Sequence, residues 1–275
     1  MKKDSILGIR YLLITLLWTW GILFIPAAIG LPYANTVTQV AYILAGASPS
    51  VIALLFVLLT RDDLRMFLLR VIRPDYIRAK GYAAILLVMP AVVALSLLVQ
   101  RTLGAGAPDW SVLEQYLRAP LRLLQFAVFS IVFGPLAEEL GWRGYLLDRF
   151  AQKGLLINGA VLGAFWALWH LPMFFINGTY QNQLLREGMV SIVCFAVSTI
   201  AVSVLLSRLV LSNNRSILGA ILFHFMVNFT GELIPLSIWG RCIKAALLFA
   251  IALWCLLTYE QTQEASAPQS AQNAR

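Results

Sequence analysis

Long apolar runs alternate with short polar connectors along the whole 275-residue chain. Each run is close to the roughly 20 residues that a helix needs to cross the hydrocarbon core of a bilayer. They fall at about 9–30, 38–60, 81–100, 121–147, 155–172, 189–211, 216–230 and 238–258. This pattern predicts an all-α polytopic transmembrane bundle of about eight spans, the seventh short. The first run follows Lys2 and Lys3 and extends from Tyr11 to about Gly30. That is too long for the apolar region of a signal peptide, so an uncleaved span is expected. The stretch 108–124 sets Trp110, Leu113, Tyr116, Leu117 and Leu121 among charges, the spacing of an amphipathic helix lying at the interface. The tail from Glu260 to Arg275, rich in Gln, Ala and Ser, is expected to be disordered.

Composition agrees with this pattern. Hydrophobic residues make up 60% of the chain and charged residues 12%, where a soluble domain carries about a quarter charged. The net charge of +8 would suggest nucleic acid in a soluble protein. Here the basic residues lie between apolar runs, as topology determinants and contacts for anionic lipid headgroups. No nucleic-acid-binding motif accompanies them. With the N-terminus inside, the inner segments hold fourteen Lys and Arg and the outer segments six, Arg241 and Lys244 among the latter. The bias predicts cytoplasmic N- and C-termini in a bacterial or archaeal cell membrane. Cys194, Cys242 and Cys255 lack CxxC spacing and are read as small core residues.

Charges are expensive in lipid, so ionisable residues within spans are candidates for function. Span four contains Glu138, Glu139 and Arg143, span five His170, and span seven His224 and Asn228. His170 and His224 are the only histidines in the chain. Glu139 and Arg143 stand four apart with the acid first, the favourable order for an ion pair on one helix face. That pairing makes Glu139 and Arg143 structural and leaves Glu138, about 100° around the helix, as the candidate base. Gly159, Gly163, Ala167 and His170 share a face whose GxxxG spacing lets another helix approach closely. Ala220, His224 and Asn228 share another, on which Asn228 can orient the His224 ring or hold a water. Trp166 and Trp169 are read as packing residues. Each of these groups alone is as readily an interhelical hydrogen-bond group; together they make a complete acid–base set.

Two chemistries fit that set. Glu138, His170 and His224 could hold a metal, and zinc is compatible, but no HExxH motif demands it. In the metal-free version Glu138 activates a water, His170 assists, and His224 and Asn228 stabilise an oxyanion.

The motifs Glu138-Glu139-Leu140-Gly141-Trp142-Arg143, Trp166-Ala167-Leu168-Trp169-His170 and His224-Phe225-Met226-Val227-Asn228 occur in order, each within a span. They match EExxxR, FxxxH and HxxxN/D, and the chain thereby resembles the CPBP intramembrane proteases. That family includes the type II CAAX prenyl endopeptidases and the Abi-type bacteriocin self-immunity proteins. The resemblance covers about 120–235 and departs from the pattern at Trp166, where the family has Phe. It implies hydrolysis of a peptide bond in a peptide or lipidated protein, with the first Glu as base and the two His and Asn completing the site. The chain then divides into 1–118 (spans one to three with the interfacial segment), 119–235 (a protease core of spans four to seven) and 236–275 (last span and tail). The rival classes are a transporter and a non-enzymatic immunity or scaffold protein. A transporter of inverted repeats would carry ion sites in both halves. Here the intramembrane charges cluster in the second half. The catalytic cavity is expected to open toward the cytoplasmic side.

Overall fold

The computed structural model describes residues 2–105 and 107–265, and those residues form helices and loops with no strand. The helices in chain order are α1 (Lys2–Ala28), α2 (Thr36–Gly46), α3 (Ser48–Thr60), α4 (Leu64–Ile72), α5 (Ala79–Thr102), α6 (Ser111–Leu117) and α7 (Pro120–Phe133). They continue with α8 (Pro135–Glu139), α9 (Leu147–Phe150), α10 (Leu162–Trp169), α11 (Tyr180–Glu187), α12 (Met189–Ser212), α13 (Ile217–Leu233) and α14 (Ile238–Ala265). Wide π-helical turns at Leu140–Leu146 and Leu156–Val161 join α8 to α9 and lead into α10.

Six stretches among the described residues are long and apolar enough to cross a membrane, and α2 with α3, bent by 41°, make a seventh. Helix α13 is a shorter apolar helix in the place of the short seventh run. The protein is thus an all-α polytopic membrane bundle. Side chains such as Leu17, Leu59, Leu121 and Trp239 are exposed on its outside, as a lipid-facing surface requires. The fourth stretch runs from Pro120 to Lys153, past Arg143. That length is what brings Glu138 to the middle of the span. The interfacial helix is shorter than the amphipathic pattern predicts: α6 ends at Leu117, because Pro120 starts a new helix. The tail also differs, since α14 continues to Ala265; residues 266–275 lie outside the described residues.

Small residues set the helix contacts. The glycine face before His170 packs on α12, where a Cβ on Gly159 would stand 2.9 Å from the Val204 Cα and one on Gly163 2.9 Å from the Ile200 Cα. Ser203 Oγ donates to the Gly159 carbonyl at 2.8 Å and seals this approach. At the break between α2 and α3, Tyr11 donates to the Pro49 carbonyl at 2.9 Å, and Thr19 and Ser48 share a 2.6 Å hydrogen bond. Trp169 Nε1 donates to Thr19 at 2.8 Å, which ties α10 to the same place. Near the N-terminus, Arg149 bridges Asp4 and Asp62, and Asp148 holds Arg70 and Arg215. Cys194 and Cys242, read separately as core residues, face each other across α12 and α14 with 2.9 Å between their sulfurs. Both are free thiols.

Gly141 is where α1 and α3 press hardest on the helix that carries the acids. A Cβ there would collide with the Tyr11 hydroxyl and the Pro49 carbonyl. Gly141→Ala is therefore expected to destabilise the fold by about 1–3 kcal/mol, the usual range for overpacking. A thermal unfolding scan in detergent should read this as a midpoint lower by about 2–4 °C per kcal/mol. An unchanged midpoint would contradict the close approach.

Candidate active site

The acids sit just after a break in the fourth span. Helix α7 stops at Gly134, and Pro135 opens the short helix α8, which ends on Glu138 and Glu139. The π turn that follows carries Trp142 and Arg143. A π turn widens the helix and is common where side chains must be re-aimed.

The two carboxylates have separate surroundings. Glu139 is wholly buried and its Oε1 takes two donors, Arg143 at 3.1 Å and His224 Nδ1 at 2.7 Å. Its Oε2 is buried without a partner among the described residues. The expected Glu139–Arg143 pair is present. The expected support of His224 by Asn228 is not: the ring is held by Glu139, from another helix. Among the described residues Asn228 makes no side-chain hydrogen bond; it lines the central cavity, against the backbone at Gly134.

Glu138 is 8% exposed and also lines the cavity. Its Oε2 accepts from Trp166 Nε1 at 2.7 Å and from Trp142 Nε1 at 3.3 Å. Its Oε1 takes no donor among the described residues. The reading of Trp166 as mere packing is thus corrected. Phe at that position could not donate this bond. Trp142 was also missed, though it stands four residues after Glu138 and so on the same helix face.

Trp166 connects the remaining groups. Its carbonyl is 2.7 Å from His170 Nδ1 and its ring lies edge-on to His224 with centroids 5.1 Å apart. The Arg143 guanidinium stacks over it at 4.7 Å. A carbonyl only accepts, so His170 Nδ1 carries the proton and Nε2 is left as an acceptor. Pro172 ends the helix after His170 and Phe195 of α12 packs on the ring at 5.3 Å, so its orientation is fixed.

Glu138, His170, His224 and Asn228 all line one cavity of about 500 Å³. Its other walls come from α2, α5, α11, the first half of α12, the last turns of α13 and the first turns of α14. Among the described residues no three His, Cys, Asp or Glu side chains are grouped so as to hold a metal ion. Glu138, His170 and His224 are not drawn together as a ligand set, and one oxygen of Glu138 is already committed to indole donors.

An intramembrane cavity that holds a carboxylate, two imidazoles and a carboxamide defines a class, the membrane-embedded protease. Residues 120–230 match the model of the family described as type II CAAX prenyl endopeptidase Rce1-like. The chain is also 30% identical over 198 residues to the CAAX prenyl protease 2 of Methanococcus maripaludis, with 70% of each chain covered. The chain belongs to the Rce1-like CAAX prenyl endopeptidase family.

Glu139→Gln would leave Arg143 buried without a counter-charge. Breaking a buried pair this way costs about 3–5 kcal/mol, whereas replacing both partners with apolar groups is often neutral. We expect Glu139→Gln to abolish most folded yield and Glu139→Gln with Arg143→Met to recover it. Size-exclusion monodispersity and thermal unfolding would measure both. Equal stability of the single and double variants would contradict the pair.

Proposed function

We propose that this protease hydrolyses the peptide bond with a water held between Glu138 and His170. The observation that carries the proposal is the complementary state of the two groups. Glu138 keeps one oxygen without a protein donor, and His170 presents an unprotonated Nε2, into the same cavity. A water that donates one hydrogen to each acceptor keeps a lone pair for the substrate carbonyl. As its oxygen bonds to the carbonyl carbon, Glu138 takes the proton. It later passes that proton to the departing amine as the C–N bond breaks.

The negative charge that forms on the carbonyl oxygen needs donors. Asn228 offers an amide N–H₂ that has no competing partner among the described residues. His224 stands beside it at the cavity wall, its ring oriented by Glu139 on Nδ1 as a buried acid orients the histidine of a catalytic triad. Preorganised donors of this kind are the largest single contribution in many enzymes.

The substrate class we propose is a prenylated CAAX protein or peptide, by likeness to the relative named above. A prenyl chain partitions into the bilayer, and a lipidated terminus can approach a membrane-embedded cavity from within the membrane. The basic bias further supports a chain with both termini in the cytoplasm and basic contacts to lipid headgroups.

Purified full-length protein is expected to cleave a fluorogenic prenylated CAAX peptide. Glu138→Ala should lower kcat by about 10²–10⁴-fold and Asn228→Ala by about 10²–10³-fold, in protein that remains folded at the assay temperature. Cleavage by Glu138→Ala at the rate of the unaltered protein would refute the assignment of the base.

A further inference from the structure

The cavity has a second polar wall that the hydrolytic chemistry leaves unused. Helix α14 begins at Ile238, where the eighth apolar run begins, so Arg241 and Lys244 lie in its first two turns. Three residues apart, they share a helix face. Both line the same cavity as Glu138, His170 and Asn228. Arg241 is neutralised by Glu187, at the end of α11, and also reaches Ser191. Its Nε is buried without a partner. Lys244 has neither a hydrogen bond nor an ion pair among the described residues. Glu232 lines the cavity as well, but it is exposed and forms no salt bridge to Lys244. On this wall Arg241 is paired with Glu187, and Lys244 is left as the cation without a paired carboxylate among the described residues. An ammonium within a membrane bundle is costly unless an anion meets it, so such residues mark ligand paths.

We propose that Lys244, supported by Arg241, receives the free C-terminal carboxylate of the peptide substrate. The inference rests on the protease reading of the site. A CAAX box ends its protein, so a substrate tail in the cavity brings a carboxylate with it. The cavity, about 500 Å³, is of small-ligand size and admits only a few residues beyond the scissile bond. An extended chain advances at most about 3.3–3.6 Å per residue. A fixed cation at one wall and a fixed water at the other then form a ruler. It selects substrates by how many residues separate the cut from the C-terminus.

The test uses two prenylated peptides of identical sequence, one a free acid and one a C-terminal amide. Binding and cleavage are followed on the full chain in nanodiscs of zwitterionic lipid, with thermal unfolding as the folding control. The unaltered protein should prefer the acid by at least tenfold in kcat/KM, mainly through KM. Lys244→Met should bring the acid down to the level of the amide, and Lys244→Arg should retain the preference. Equal use of acid and amide by the unaltered protein would overturn the subsite, and so would an undiminished preference in Lys244→Met. Tighter, Lys244-dependent binding of the acid without any cleavage would sustain the subsite and refute the protease reading. A parallel set in nanodiscs containing phosphatidylglycerol addresses the other source of an anion. Loss of the acid preference in both sets, with lipid retained in a Lys244-dependent way, would assign the cation to a lipid phosphate and overturn the proposal.

Discussion

A charge placed among transmembrane helices has to find its partner within the protein, because neither lipid nor bulk water supplies one. Glu139 is the residue in which this constraint is concentrated. It is fully buried, and its single engaged oxygen binds both Arg143 from its own helix and His224 from α13. The rest of the site is attached to that point. Arg143 stacks on Trp166, Trp166 donates to Glu138, and the Trp166 carbonyl fixes His170. A disturbance of the Glu139 contact would be felt at both histidines and at the neighbouring acid. The motif residues thus behave as one polar network and not as separate catalytic parts.

The network divides labour by hydrogen-bond capacity. Each carboxylate has one oxygen committed to protein donors. Glu139 is placed where it can only support, away from the cavity, and Glu138 where it can act, at the cavity wall. Each histidine has its Nδ1 committed and its other nitrogen left over. The indoles of Trp142 and Trp166 do for Glu138 what the guanidinium does for Glu139, without adding charge. A cluster of aromatic rings around these groups also keeps the polar network narrow, with His170 packed by Trp166, Trp169 and Phe195.

Much of this architecture could be read from residue order. Apolar runs bounded by basic connectors located the helices, because the length of a span is imposed by bilayer thickness. The i,i+4 spacing of Glu139 and Arg143 was enough to pair them, and the glycine spacing before His170 was enough to announce a close helix neighbour. The break at Gly134, the π turns and the bend between α2 and α3 were not legible.

The sequence by itself determined that the chain spans a membrane many times, which acid pairs with Arg143, and which few ionisable groups are available for chemistry. These follow from hydropathy and from helix periodicity, both local properties. Only the tertiary structure decided that Glu139 and not Asn228 holds His224, that Trp166 serves Glu138, and that Lys244 shares the cavity with the acid. Those contacts join residues 28 to 85 positions apart in the chain, Trp166 with Glu138 and His224 with Glu139, and Lys244 lines the cavity 106 positions after Glu138. No periodicity within one helix encodes them, since they are set by the relative rotation and depth of different helices.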